Sequence, residues 1–503
     1  LKPVTKPSCW KSPAQAHPAR LTLRRRLIRG MGSAEMESCG TNCGGKRAWL
    51  GAVALAVAIT ASTNGAPPAY KSLRYDEDFS SLRNAPERQD YLDPLKFIPV
   101  GADAWLTLGG DGRLRYEYYD HALWGQGLQD DNGYLLERVM LHADLHLNDS
   151  FRFFTQLKSG FENGRVGGPR PTDEDRLDLN QAFVDVQLPV NDAEKLTVRI
   201  GRQEMSFGSS RLVSFRESPN VRLAFDGLRA ILKTRDWRID ALTVEPVQTR
   251  TGTFDDGTDP HQKLWGLYAV TAFPTVPGGH VDIYYLGLER DNARFDQGSA
   301  REERHTVGAR LWGKASGWDY NFEFVYQFGT FGPDAIAAWS VASDTGYTLL
   351  DTPLQPRFSL KADIVSGDRD PRRGTLNTFN ALFPRGAYFN ESALIGPANL
   401  IDVHPAVELK PAKSVGISFD WDFFWRESLH DGIYGPSGNL IRSGRTTDHR
   451  YLGNQPSVRA DWRPGRHWGF GATYAHFFAA KAIEETGPGR DVDYLSAWST
   501  CLF

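Results

Sequence analysis

The chain has 503 residues, a net charge of −3 and a pI near 6.5, so no global basic field points to nucleic acid. A mean hydropathy of −0.43 excludes a bundle of membrane-spanning helices beyond the N-terminus. The 49 glycines and 12% aromatic content suit strands and tight turns instead.

Leu1 is not a usual initiator, and Met31 and Met36 both precede the one apolar run. Residues 1–35 therefore read as a miscalled upstream extension, with a basic presequence as the alternative. Residues 36–66 read as a secretory signal peptide. Lys46 and Arg47 precede about fifteen small apolar residues and then small polar ones, a core too short to span a bilayer stably. A membrane anchor is the alternative reading, and cleavage is expected between Ala58 and Ala69. Cys9, Cys39 and Cys43 lie ahead of that zone, leaving Cys501 without a partner. A secreted chain of this kind needs a stabilising device other than an internal disulfide, and a closed hydrogen-bonded barrel is one. Residues 67–103 form a periplasmic N-terminal segment on this reading, and residues 104–503 the barrel.

From residue 105 onward, short stretches of period-two alternation recur. In Leu106–Tyr118, Leu108, Leu114, Tyr116 and Tyr118 take one face, and Asp111, Arg113, Arg115 and Glu117 the other. Val139, Leu141, Ala143 and Leu145 alternate with Arg138, Met140, His142 and Asp144. After the turn Asn148-Asp149-Ser150, Phe151, Phe153 and Leu157 oppose Arg152 and Lys158. Phe322, Phe324, Tyr326 and Phe328 form another apolar row, as do Phe419, Trp421, Phe423 and Trp425. Rows this aromatic suit a lipid boundary better than the inside of a soluble sandwich.

Turn lengths alternate as well. Short connections fall at 148–150, 189–195, 235–236, 275–279, 314–317, 351–357, 410–413 and 464–465. Longer loops fall near 120–132, 161–177, 204–221, 246–261, 291–303, 330–334, 367–398, 426–449 and 480–490. The expected fold is an all-β, transmembrane antiparallel barrel of about eighteen strands, with short periplasmic turns and long extracellular loops. Both termini lie on the short-turn side, and the chain ends in an aromatic strand, Tyr494–Phe503, of the kind that marks outer-membrane barrels for assembly. The expected location is the bacterial outer membrane.

Several passages resemble the alginate export family. They are Arg74–Phe79 with Leu92–Lys96, Gly109–Tyr118, Gly201–Asp226, Gly386–Pro405, Trp421–Ser443 and Gly487–Asp493, so the resemblance covers roughly residues 70–503. It implies an eighteen-stranded outer-membrane barrel with a pore lined by arginine and lysine, through which a polyuronate is secreted. It also implies a monomer. Periplasmic polysaccharide-secretion proteins are a candidate class of partner.

Alternation places Arg113, Arg115, Arg138, Arg152, Lys158 and Arg199 toward the lumen in the first third of the barrel, and Arg310, Lys361 and Arg459 later. Arg202, Arg211, Arg216 and Arg222 sit in or beside a loop able to fold inward. An anionic polymer needs positive groups that bind weakly at several points, and arginine pairs with a carboxylate bidentately. The same charges equally suit mutual ion pairs that merely fill the interior. Asp319, Glu323, Asp363, Asp402, Glu408, Asp420, Asp422 and Asp461 also point inward, so the wall reads as basic first and acidic later. The loop 367–399 reads as a constriction or lid, or else as a surface loop, and the segment before Ala104 as a cover for the inner mouth.

No nucleophile elbow, phosphate-binding loop or zinc motif occurs. Ser428, His430 and Asp431 are adjacent in sequence, which is not triad geometry, and Gly109-Gly110-x-Gly112 lies inside a strand. The expected function is a pore, not an enzyme, with no cofactor and no resident metal. It passes an anionic polysaccharide or oligosaccharide such as alginate, with export the expected direction, and outer-membrane lipid surrounds it. A general or sugar-specific uptake porin is the alternative.

Overall fold

A computed structural model describes residues 68–84, 90–191 and 194–503. The expected upstream extension, signal peptide and cleavage zone lie almost wholly outside these residues. Eighteen antiparallel strands close into a barrel. In chain order they are β1 (Trp105–Asp120), β2 (Tyr134–His146), β3 (Phe151–Asn163), β4 (Asp175–Asn191), β5 (Glu194–Gln203) and β6 (Phe225–Lys233). Next come β7 (Trp237–Gln248), β8 (Gln262–Ala272), β9 (Gly279–Phe295), β10 (Gly298–Ala315), β11 (Trp318–Phe331) and β12 (Asp334–Thr348). The last six are β13 (Arg357–Val365), β14 (Leu400–Ala412), β15 (Val415–Trp425), β16 (Tyr451–Trp462), β17 (Trp468–Ala479) and β18 (Val492–Leu502).

Closure is explicit in the ladders, since β1 pairs with β2 from Trp105↔His146 and with β18 from Asp111↔Leu502 to Asp120↔Asp493. No barrel edge remains unpaired, which is what a spanning sheet needs where water cannot satisfy backbone groups. Among the described residues no helix is long and apolar enough to cross a membrane.

The alternation read from the sequence becomes the two faces of the wall. Leu114, Val139, Leu141, Phe153, Phe322, Phe324, Phe419 and Trp421 are exposed on the outside, while Asp111, Arg113, Arg138, Asp144 and Glu323 are buried inside. At the short-turn end, Trp318 packs on Tyr347 and Phe470 lies against both Trp462 and Trp468, which forms part of an interfacial aromatic girdle. Among the described residues the short connections fall at or within two residues of the expected places, the one expected at 410–413 lying at 413–414 because the strand runs on to Ala412.

The loop expected at 291–303 is different. Strands β9 and β10 continue to Phe295↔Gly298, so the connection shrinks to a tight turn. Polar residues there obscured the alternation because this part of the hairpin stands beyond the apolar belt, with little apolar contrast between its faces. Phe295 packs inward against Phe331 and Tyr434.

Candidate functional site: the occupied lumen

Three stretches of chain enter the barrel. The first closes the short-turn mouth. Arg74 donates to the Gly110 carbonyl at 2.6 Å and the Phe503 carbonyl at 3.0 Å, clasping the seam where β1 meets the C-terminus. Tyr75 packs edge-on against Phe154 and Phe183, and its hydroxyl donates to the Glu204 carbonyl at 2.8 Å. Lys96 donates to the Leu108 carbonyl, and burial together with the nearby Arg74 brings its ammonium down to about 8. Asp90 is held by His467 at 2.7 Å and Arg466 at 3.1 Å. The segment ahead of β1 therefore covers the inner mouth.

The second and third stretches are the loops 204–224 and 366–399, which meet inside the barrel. Val213 bridges Phe383 in parallel fashion, with Ser214 N–H donating to the Phe383 carbonyl at 2.9 Å and Phe383 N–H to Leu212 at 2.8 Å. Apolar side chains explain why these loops stay inside. Leu212, Val213, Leu382, Phe383, Leu394 and Ile395 join Phe225, Tyr268, Tyr284, Phe424 and Phe477 from the wall in one buried cluster. Each large apolar side chain so buried contributes about 1.5–3 kcal/mol, more than enough to offset a few strained backbone positions. The 367–399 loop thus forms a constriction within the lumen.

The polar half of this plug faces the strands β1–β3. Glu217 reaches Arg138 at 2.6 Å and Arg113 at 4.0 Å, and contacts Arg222 directly. Enclosure by protein alone would raise its carboxyl, but Arg138, Arg222 and Arg113 outweigh that and hold it down to about 2. Glu391, from the other loop, reaches Arg459 at 2.9 Å and Arg115 at 3.0 Å and accepts from the Ser218 hydroxyl at 2.8 Å. Enclosure again opposes ionisation, and Arg115 and Arg459 overcome it, leaving the carboxyl at about 2.

The remaining expected lining residues are also engaged. Arg152 is bidentate to Asp144, Arg199 is bidentate to Asp185, and Lys158 sits between Asp175 and Asp256 at 2.8 and 2.7 Å. These are wall-to-wall or wall-to-loop pairs. Arg202 departs from the expectation. It pairs across the ladder with Asp226 and shares its face with Ile200 and Leu228, which are 56% and 41% exposed. Gly201 takes a φ of +128° ahead of it, and the residue belongs to the outer face near the long-loop rim rather than to the lumen.

Arg216 stands apart from the rest. Its backbone is left-handed at φ +57°, a conformation costing about 1–2 kcal/mol for a residue with a Cβ. Its guanidinium donates to the Pro384 carbonyl at 3.2 Å and, among the described residues, has no carboxylate in ion-pairing range; burial lowers it to about 10. Arg385, on the partner loop, likewise donates only to a carbonyl, that of Tyr388 at 2.8 Å. Arg216 is therefore displayed by the paired loops without an acid partner among the described residues, whereas Arg385 is attracted by Asp363 and Asp344.

On the opposite wall the charges reverse. Glu323, Asp363, Asp402 and Asp422 are buried on β11, β13, β14 and β15, and Arg211 from the plug reaches Glu323 at 3.3 Å and Asp363 at 3.5 Å. The structure brings together two acids that sequence reasoning did not single out, Glu217 and Glu391. Their signal was present only as loop glutamates lying more than fifty residues from the wall arginines they meet.

A family model described as alginate export matches residues 104–497. The chain belongs to that family. No curated protein matches the sequence. Among solved structures, Pseudomonas aeruginosa OpdK with vanillate is similar at a TM-score of 0.53 and 10% identity, over 81% of this chain and 99% of that one. Pseudomonas aeruginosa OccD3 (OpdP) is similar at 0.52 and 12% identity, covering 81% and 92% respectively. OccK3 (OpdO) of the same organism is similar at 0.51 and 10% identity, covering 79% and 95%. At these identities the likeness establishes the fold alone. Family and fold together make this alginate export family member an outer-membrane, porin-type barrel, a pore for passage.

Proposed function

We propose that the barrel passes an anionic polysaccharide outward, a polyuronate such as alginate or its oligomers. The observation that carries the reading is Arg216, with no carboxylate in ion-pairing range among the described residues, beside a group of arginines that receive the two loop glutamates in addition to Asp111, Glu117, Glu204 and Asp461. Glu217 and Glu391 stand where the carboxylates of a polyuronate would stand, each held by guanidinium groups from the wall or plug. A polymer presenting a carboxylate on every sugar can take over such contacts one at a time, so that binding at several weak sites permits movement. On this reading Arg113, Arg115, Arg138, Arg222 and Arg459 are the contacts exposed when the plug shifts, and Arg216 is a contact available before it does. Arg152, Lys158 and Arg199 act at the edges of the path, and Arg202 takes no part. The pore works as a monomer without a cofactor, and periplasmic secretion proteins deliver the polymer to the mouth covered by residues 70–84.

Refolded protein in a planar bilayer tests this reading. Oligouronates should interrupt the current at concentrations where neutral oligosaccharides of equal length do not, and Arg216→Ala should shorten the interruptions. Block by neutral sugars alone would contradict the proposal in favour of a sugar-uptake porin.

A further inference from the structure

The acidic wall contains a group of side chains that neither the plug nor the proposed path uses. In the β13–β14 ladder, Asp363 lies directly opposite Asp402 and Lys361 directly opposite His404. In the β14–β15 ladder, Val403 pairs with Phe423 and Ala406 with Asp420, which sets Asp422 opposite His404. The aspartates, Lys361 and His404 among these positions face inward. Like charges directly opposite one another on one face repel, so two neighbouring aspartates on this patch call for a counter-charge. Asp402, His404 and Asp422 are respectively 1%, 2% and 0% exposed, so bulk water does not supply the screening.

Their polar atoms converge. One ligand atom from each of the three side chains lies within 4.8 Å of the other two. Neither oxygen of Asp402 accepts a hydrogen bond, while the Asp422 carboxylate lies against His404 Nδ1 as its ion-pair neighbour. Buried carboxylates without hydrogen bonds or a cation are costly. The other imidazole nitrogen, Nε2, meets Asp420 at 3.0 Å. That contact fixes the ring and its tautomer, leaving the Nδ1 lone pair aimed at the two aspartates, the arrangement in which an outer carboxylate orients a ligating histidine.

We propose that Asp402, His404 and Asp422 form a binding site for a divalent transition-metal ion, with Zn²⁺ as its representative. One imidazole nitrogen and two carboxylate oxygens make a three-ligand set of the kind Zn²⁺ takes when a fourth position stays open. The imidazole argues against Ca²⁺, which takes six to eight oxygens. Two carboxylates neutralise the dication, removing the repulsion between the wall positions. The open side faces a cavity of about 90 Å³ lined by Asp402, His404, Lys361 and Arg385, among others. There is room for a water, and Lys361 and Arg385 would favour an anionic fourth ligand. Asp363 remains outside the set because Arg211 holds it at 3.5 Å. The other acidic group of this size, Asp175, Asp178 and Asp256, already has a cation in Lys158 and makes no comparable site.

The test is calorimetric titration of chelator-stripped, refolded protein, free of any histidine tag, with ZnCl₂, beside D402N/D422N and D363N variants. Heat-modifiable gel mobility and circular dichroism report folding. The expected result is one saturable Zn²⁺ per chain in wild type and D363N and none in folded D402N/D422N. X-ray absorption should show nitrogen and oxygen ligands including one imidazole. Absence of saturable binding by folded wild type, or equal binding by folded D402N/D422N, would overturn the proposal; those results indicate an imidazolium and a shared proton between the aspartates instead. Should the double variant not fold, the absorption spectrum of wild type decides, with sulfur or all-oxygen coordination counting against the site.

Discussion

The two sides of the lumen solve the same electrostatic problem with opposite signs. On β1 and β2 the wall supplies the cations Arg113, Arg115 and Arg138, and the plug supplies the acids Glu217 and Glu391. On β11 and β13 the wall supplies the acids Glu323 and Asp363, and the plug supplies Arg211. The paired loops are therefore polarised across the barrel, and their orientation is specified by charge as well as by the apolar contacts of Val213, Phe383 and Leu394. The plug acid Glu217 on the basic side is also more accessible than the wall acids that Arg211 meets. Glu217 keeps 46% of its side-chain surface accessible, whereas Glu323 and Asp363 keep 4% and 5%. Displacement of the plug by a polyanion should begin on the basic side, where contacts cost least to exchange.

The largest effect should come from the drier side. Arg211→Ala leaves Glu323 and Asp363 buried without their cation, a loss of about 3–5 kcal/mol. Hydrogen exchange should show the amides of residues 210–216 losing protection while the strands keep theirs; unchanged loop protection would break the comparison. Glu217→Gln should cost less, about 1–2 kcal/mol, because its carboxyl is half-exposed. The expected signature is more frequent opening and stronger anion preference in single-channel records, and the same opening rate as wild type would count against the latch.

Acid should act on the same side. The carboxyls of Glu217 and Glu391 lie at about 2, below their ordinary 4.5. Their contribution to seating the plug is therefore fully present above about 4.5 and is lost as pH falls from there toward 2. Opening rates should be flat between pH 7 and 5 and rise below 4.5, and this rise should be absent in a Glu217→Gln/Glu391→Gln double variant. The smallest effect belongs to Arg216→Ala. It removes one hydrogen bond to a carbonyl, so conductance should stay as in wild type while oligouronate affinity falls roughly fivefold, about 1 kcal/mol.

Strand number, short turns and outward rows were legible because each depends on local alternation and turn chemistry. Leu106–Tyr118 and Phe419–Trp425 declare their faces without help from any other segment. The basic-then-acidic wall was legible for the same reason. The fate of 367–399 was not, because a long loop rich in glycine and proline reads alike whether it lies on the surface or inside. What settles it is Phe383 meeting Phe225 and Val213, a contact over 150 residues apart in sequence. Arg202 misled because its nearness to the 204–221 loop was weighed above the alternation, which from Arg199 to Gln203 turns it outward beside Ile200. The acid partners of Arg115 and Arg138 were hidden for the same reason as the loop itself.

The central claim is that the lumen favours anions once the plug moves. Reversal potential under a salt gradient tests it most directly, in wild type and in the Glu217→Gln/Glu391→Gln double variant. Anion selectivity that increases in the double variant is the predicted result. Cation selectivity in both proteins would contradict it, because removing the two plug acids that bridge the arginines would then have failed to expose a basic path.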